Sequence, residues 1–258
     1  MRGGSGKIRL FIGLAIVAFA VLKYCSSAET NEFTGETQYV DLTTDQEIAM
    51  GLSAKPSMME QYGGEHPDQT AQALVDRVGQ KLVKSSIAQQ SQYPFDFHLL
   101  RDDRTINAFA LPGGQCFITA ALYQQLENED QLAGVLGHEI GHVIAKHSAE
   151  RMSQQGLAQG VITGVSVGTS GGGEMAASIA QMLTMKYGRD DELQSDELGV
   201  KMMLDAGYDP NQMIGVMEIL KAAAGPNRQP EFQSTHPDPE NRVQRIKEAI
   251  VKYGGTVK

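Results

Sequence analysis

The stretch "LAGVLGHEIGHVIAKH", residues 132–147, constrains the fold more than any other part of the chain. Leu132, Val135, Leu136, Ile140, Val143 and Ile144 recur at three- and four-residue spacing, the period of a helix. A helix this apolar has to run through a core. Yet it carries Gly134, Gly137 and Gly141, and each glycine in a helix interior costs about 1 kcal/mol against alanine. Gly137 and Gly141 share one side, with Gly134 a turn earlier on nearly the same side. The expected reason is a second helix that approaches closely enough to need them bare. Around this helix the pattern reads as α+β, mostly helical. An amphipathic helix covers 67–87, "FDFHLL" (95–100) alternates as a strand, and 107–122 gives two short strands broken at Pro112-Gly113-Gly114. Further helices are expected over 129–147, 150–168, 174–187, 190–206, 210–224 and 238–253.

Within the central run, His138-Glu139-Ile140-Gly141-His142 is an H-E-x-x-H pattern. Four residues advance a helix by slightly more than one turn, so both imidazoles project from one face and can share a metal ion. Glu139 falls one residue round the cylinder, where it can hold a water molecule and accept its proton. Two imidazole nitrogens favour zinc, one ion per chain, and a catalytic zinc needs a third protein ligand and an open position. His147, on a continuous helix, lies nearly half a turn round from His138. It is expected to face away and interact with the helix dipole. The carboxylates of "GRDDELQSDELG" (188–199) are the better source of a ligand. Glu192 and Asp196 are one turn apart, so one could ligate while its neighbour orients a histidine. Asp190, Asp191 and Glu197 compete with them, and on spacing alone the run reads equally well as a solvated face.

Four segments in order resemble the HtpX and CAAX prenyl-protease family of gluzincin metallopeptidases. They are "NAFALPGG" (107–114), the H-E-x-x-H helix, "RDDELQSD" (189–196) and "STHPDPENRVQRI" (234–246). Short secreted or membrane-tethered bacterial members and Oma-type mitochondrial proteases share the pattern. The resemblance implies a zincin-like domain in which His138, His142 and Glu192 hold zinc, Asp196 supports a ligand and Glu139 acts as the base. It places His236 near the zinc, steadying an oxyanion or filling the fourth coordination position at rest, and gives Arg242 a supporting part. The strand over Asn107, Ala108, Phe109 and Ala110 becomes the sheet edge beside the cleft, where substrate would pair. Gln194 and Ser195 depart from the family's usual Glu-Ala, and Gly188 from serine. A chain ending at Lys258 is expected to lack the helical repeats of longer members. The implied activity is cleavage of misfolded or membrane-associated polypeptides outside the cytoplasm, in a bacterial periplasm or on the outer face of the inner membrane. A chaperone-like binder with an occluded zinc, or a processing protease for one membrane partner, are alternative uses of the same cleft.

Residues 1–28 stand apart as a signal peptide or membrane anchor, followed by a linker over 29–42 and one metallopeptidase domain over 43–258. The apolar run "LFIGLAIVAFAVL" (10–22) falls between a secretory segment and a membrane span of about 20 residues. Cleavage near Ser26–Ala28 and retention as an anchor are both open on length. Lys23 and Tyr24 argue against lipidation of Cys25, and two cysteines, Cys25 and Cys116, imply no disulfide framework. Residues 1–28 hold four basic and no acidic side chains, so the rest carries 18 basic against 31 acidic, a net −13. Such a body excludes nucleic acid as a partner. Gly156, Gly160, Gly164 and Gly168 recur every four residues, which reads as close packing against a neighbouring helix or, alternatively, as a segment dipping into membrane.

Overall fold

The N-terminal apolar run folds as helix α1 (Gly4–Ser26) in the computed structural model, which describes residues 4–169, 188–223, 231–236 and 241–258. Residues 29–42, expected to be a linker, contain an antiparallel ribbon, β1 (Ala28–Thr30) paired with β2 (Thr37–Tyr39). Asn31 makes its turn: the side-chain oxygen accepts from the amides of Phe33 and Thr34 at 2.8 and 3.1 Å, and Gly35 takes a φ of +74°. Asparagine and glycine supply such turns because one offers a local acceptor and the other a left-handed φ. The chain divides into two compact units. One is Met1–Thr43 with Ser148–Met185, and the other is Thr44–His147 with Lys186–Lys258.

The second unit opens with α2 (Thr44–Gln61) and α3 (Gln69–Ser85), the latter capped by Asp68, whose carboxylate accepts from the Thr70 and Ala71 amides. Three strands follow: β3 (Asp96–Leu100), β4 (Ala108–Leu111) and β5 (Gln115–Thr119), in the order β3-β5-β4. β5 runs parallel to β3 and antiparallel to β4, with Phe109 opposite Phe117. Every residue of β5 is buried, as a central strand covered on both faces must be. The two edges are treated differently. The Gln72 amide of α3 spans the outer side of β3, donating to the Phe97 carbonyl and accepting from the Leu99 amide, both at 2.8 Å. β4 forms the other edge and runs beside the central helix.

A short helix α4 (Ala120–Tyr123) leads to that central helix, α5 (Glu129–Ile144), capped by Asn128. Gln131 through Ile144 are all buried. The expected helix through 147 stops early: Lys146 adopts a φ of +56°, and a new helix, α6 (His147–Thr169), starts immediately after it. The Lys146 ammonium lies 3.5 Å from the buried carboxylate of Glu47. The remaining described helices are α7 (Arg189–Asp205), α8 (Gln212–Ala223), α9 (Glu231–Thr235) and α10 (Arg242–Lys252). The helix expected over 174–187 lies outside the described residues. The fold is α+β and mostly helical, as the sequence pattern implies.

The glycines of α5 meet partners. A Cβ on Gly137 would sit 3.3 Å from the Gly199 Cα of α7, and one on Gly141 would sit 3.0 Å from the Ser195 carbonyl oxygen. Gly134 faces a different element, Met213 of α8, at 3.4 Å. The close neighbour of Gly137 and Gly141 is therefore the helix that carries Glu192 and Asp196.

Candidate metal centre

With α5 and α7 in backbone contact, the side chains flanking the seam converge. One ligand atom from each of His138, His142, Glu192 and His236 lies within 4.8 Å of all the others, and all four residues are buried. The two Nε2 atoms of His138 and His142 are 3.0 Å apart. Glu192 places Oε2 at 3.4 Å from His138 Nε2 and Oε1 at 3.4 Å from His142 Nε2. His236, the residue after α9, brings Nδ1 to 3.1 Å from Glu192 Oε1 and 3.3 Å from His138 Nε2. The backbone of α9 is tied to the approach to β4, since the Phe232 amide donates to the Ile106 carbonyl.

Each α5 histidine is gripped from behind. Asp196 Oδ1 lies 2.8 Å from His138 Nδ1, and because an ionised carboxylate can only accept, the proton sits on Nδ1. Arg242 holds that carboxylate in a bidentate pair, Nε to Oδ2 at 2.6 Å and Nη2 to Oδ1 at 2.9 Å. His142 Nδ1 lies 2.9 Å from Nδ1 of His147. His147 therefore does not face away. The left-handed turn at Lys146 swings it back against the site, where its Nε2 reaches Gln194 Oε1 at 2.9 Å. A neutral His147 donating from Nε2 to that carbonyl has only a lone pair on Nδ1, so it accepts the proton of His142 Nδ1. Both Nε2 atoms of α5 then point lone pairs at one another and at a carboxylate.

A metal ion among the groups satisfies those lone pairs; without one, a proton on His138 and the Arg242 guanidinium, 3.4 Å from Glu192 Oε2, balance the carboxylate. Both Glu139 oxygens and Glu192 Oε2 are buried without a hydrogen-bond partner among the described residues. Buried polar atoms of a folded protein are normally paired, so a cluster of orphans at one point marks a place for an ion and water. The donor set, imidazole nitrogens with one carboxylate, suits a borderline divalent metal such as zinc.

The electrostatics follow from burial and neighbours. Burial pulls the His138 imidazole down, but the adjoining Asp196 and Glu192 carboxylates override it and raise its pKa to about 9. Burial holds His142 well below the usual histidine range and also lowers His147, which keeps both neutral. Burial would raise Glu192 and Asp196, yet both are lowered. His236, His138 and His142 dominate at Glu192, Arg242 and His138 at Asp196. Burial pushes Glu139 up, with His236 Nε2 3.7 Å from its Oε1.

The strand residues divide. Asn107 is buried, its amide donating to the Tyr62 hydroxyl at 3.2 Å and to Glu231 of α9 at 3.3 Å, while its backbone pairs with Thr119. Its side chain braces α9 from within. Ala108 and Ala110 are buried, Phe109 is half-buried, and all three lie on the edge strand.

An H-E-x-x-H helix joined through a glycine seam to a second helix bearing a glutamate, beside the edge of a small sheet, defines a metallopeptidase. The chain belongs to peptidase family M48, whose description matches residues 69–250. It is 28% identical over 241 residues to the mitochondrial metalloendopeptidase OMA1 of Schizosaccharomyces pombe, covering 91% of this chain and 70% of that protein. It is 30% identical over 247 residues to the β-barrel assembly-enhancing protease of Escherichia coli, covering 90% of this chain and 48% of the relative. The mitochondrial metalloendopeptidase OMA1 of Danio rerio is 26% identical over 256 residues, 92% of this chain and 53% of that one. The chain thus spans about half the length of the bacterial and fish relatives.

Proposed function

We propose that this metalloendopeptidase carries zinc, one ion per chain, on His138, His142 and Glu192, and cleaves misfolded or membrane-associated polypeptides outside the cytoplasm. The observation that carries the metal assignment is the convergence of three imidazoles and a carboxylate around one buried point, with both Glu139 oxygens unpartnered beside it. Zinc held there would supply a Lewis acid that acidifies water and polarises a carbonyl. The chain's own groups do the rest. Glu139, its affinity for a proton raised by burial, takes the proton of the attacking water and returns it to the leaving nitrogen. Asp196 and His147 fix the tautomers of His138 and His142, so that each Nε2 keeps its lone pair facing inward. The edge of β4, at Ala108 and Ala110, offers main-chain pairing to an extended substrate, a mode that reads backbone more than side chains. The bacterial relative is named for enhancing β-barrel assembly. Polypeptides on their way to a membrane are accordingly the substrate class proposed here.

The test is Glu139→Gln, which removes the base and leaves the inward-facing ligands. The variant is expected to keep its zinc and lose casein cleavage by about 100-fold or more. Undiminished cleavage would remove Glu139 from the reaction. A second reading rests on His236. With its Nδ1 at 3.1 Å from Glu192 and 3.3 Å from His138, it can complete a four-residue set and leave no open position. On that reading the protein holds unfolded chains without cutting them. Purified wild type that binds unfolded casein but yields no new N-termini, with His236→Ala equally inert, would favour it.

A further inference from the structure

The other unit contains a helix pair that the peptidase reading does not use. α1 and α6 touch through backbone. A Cβ on Gly160 would lie 2.5 Å from the Cβ of Ala20, and one on Gly164 would lie 2.6 Å from the Gly13 carbonyl oxygen and from Val17 Cγ2. Ascending α6 thus meets descending α1, an antiparallel crossing of the small-residue type that lets helices pack without a water-driven force between them. The end of the pair is tied. Lys23 forms an ion pair with Asp41, the Tyr24 ring stacks on Tyr39 at 4.7 Å, and Asp41 accepts from Ser153 of α6. The Val40 amide donates to the Ser27 carbonyl, and Ala28 is already the first residue of β1, opposite Tyr39. Removal of the segment through Ala28 would shorten the ribbon and uncover Gly160 and Gly164.

Among the described residues, nothing covers the opposite side of α1. Ile8, Phe11, Phe19 and Leu22 are between 62% and 70% exposed, and Leu14 is 57% exposed. An apolar surface of that kind on a soluble protein marks an interaction site. Its dimensions fit one occupant. Gly6–Ser26 has 21 residues and a mean hydropathy of 2.0. At 1.5 Å per residue it spans about 31 Å, the thickness of a bilayer's hydrocarbon. Lys7 and Arg9 stand at one end and Lys23 at the other, with no charge from Leu10 to Leu22. α6 is less apolar than α1, yet Met152 to Thr169 contains no charged residue. Ile162 is 57% exposed, and the Gln159 amide donates to the Thr163 hydroxyl at 3.3 Å. Hydrocarbon tolerates polar side chains on these terms, because they find a partner within the helix pair.

We propose that α1 is retained in the mature protein and crosses a lipid bilayer, and that the uncharged part of α6 enters the same bilayer along it. Gly164 packs against Gly13 and Val17, which lie about 10–16 Å along α1 from Tyr24. Gly164 therefore lies at about the middle of the hydrocarbon. The membrane contact is a pair of helices, of which the sequence pattern marks α1 as an apolar span and leaves α6 open between helix packing and a segment dipping into membrane.

The full chain with a C-terminal tag tests this when purified from membranes and reconstituted in phosphatidylethanolamine–phosphatidylglycerol vesicles. Mass spectrometry of the intact protein is expected to show residues 1–28 still attached. In a Cys25→Ser background, a fluorophore on Ile162→Cys is expected to be quenched by doxyl-labelled lipid and shielded from iodide. The same fluorophore on Asp103→Cys, an exposed site, should show the reverse. A mature N-terminus at or beyond residue 28 overturns retention. Iodide quenching at 162 as strong as at 103 overturns insertion of α6. Shielding at 162 that lipid quenchers do not reach and that dilution abolishes would assign the face to a second copy of the chain and overturn the lipid assignment. None of these readouts depends on peptidase activity.

Discussion

Two glycine seams, one in each compact unit, use the same device for different ends. Between α5 and α7, Gly137, Gly141 and Gly199 bring backbones together beside His138, His142, Glu192 and Asp196. Between α1 and α6, Gly160 and Gly164 do so where no charged side chain flanks the contact. In both, the absent side chain sets the distance, and the neighbouring residues decide what that distance is for. At the first seam it lets ligands from two helices reach one point. At the second it gives packing alone, and dispersion across such a contact is large only when backbones come this near.

Substitutions can break the parallel or sharpen it. The largest effect is expected at Gly141→Leu, whose Cβ would press on the Ser195 backbone at 3.0–3.1 Å. Separating α5 from α7 should lower metal affinity by roughly 100-fold or more and cost about 1–3 kcal/mol of stability. Chelator competition and thermal unfolding measure the two, and unchanged affinity would disconnect the seam from the site. Next comes His147→Leu, which removes the acceptor for His142 Nδ1. Metal affinity should fall about 10–100-fold, with part restored in His147→Asn, whose side-chain oxygen can accept the same proton. Gly164→Leu should spare metal affinity altogether while loosening α1 from α6, seen as hydrogen exchange in α6 faster by about tenfold. If it weakened metal binding, the two seams would not be independent. The smallest effect is Gly156→Ala. Among the described residues no atom beyond the local helix backbone lies within 4 Å of the added Cβ, so the change should stabilise α6 by about 0.5–1 kcal/mol through helix propensity alone. Slower exchange in α6 would be the sign.

Local periodicity carried much of this into view. The spacing of His138 and His142 states their shared face, and the glycines of α5 announce a close helix before its identity is known. The resemblance supplied His236 and Arg242, and singled out Glu192 and Asp196 from a run that spacing alone could not separate from a solvated charge face. His147 was not legible, for a physical reason. A continuous helix carries it away from His142, and only the left-handed φ at Lys146 brings it back. Glycine or asparagine commonly marks such a reversal, whereas lysine gives no signal. The contacts of the Asn107 side chain were hidden in a different way. Its neighbours Tyr62 and Glu231 are 45 residues earlier and 124 residues later, and no local pattern links them. The ribbon over 28–39 did have a signal, Asn31 followed by Gly35, which an uneven polar composition hid.

Lys146 shows what such a joint implies for sequence change. Its backbone would be more at ease as glycine, which carries no Cβ penalty at a φ of +56°. Its ammonium faces the buried Glu47, which glycine cannot serve. Arginine keeps the charge and the strain, asparagine eases the strain and gives up the charge, and valine or isoleucine does neither. No single replacement improves both properties, so position 146 is a local optimum reached by compromise. Drift to glycine or asparagine there would give up the cation that faces Glu47.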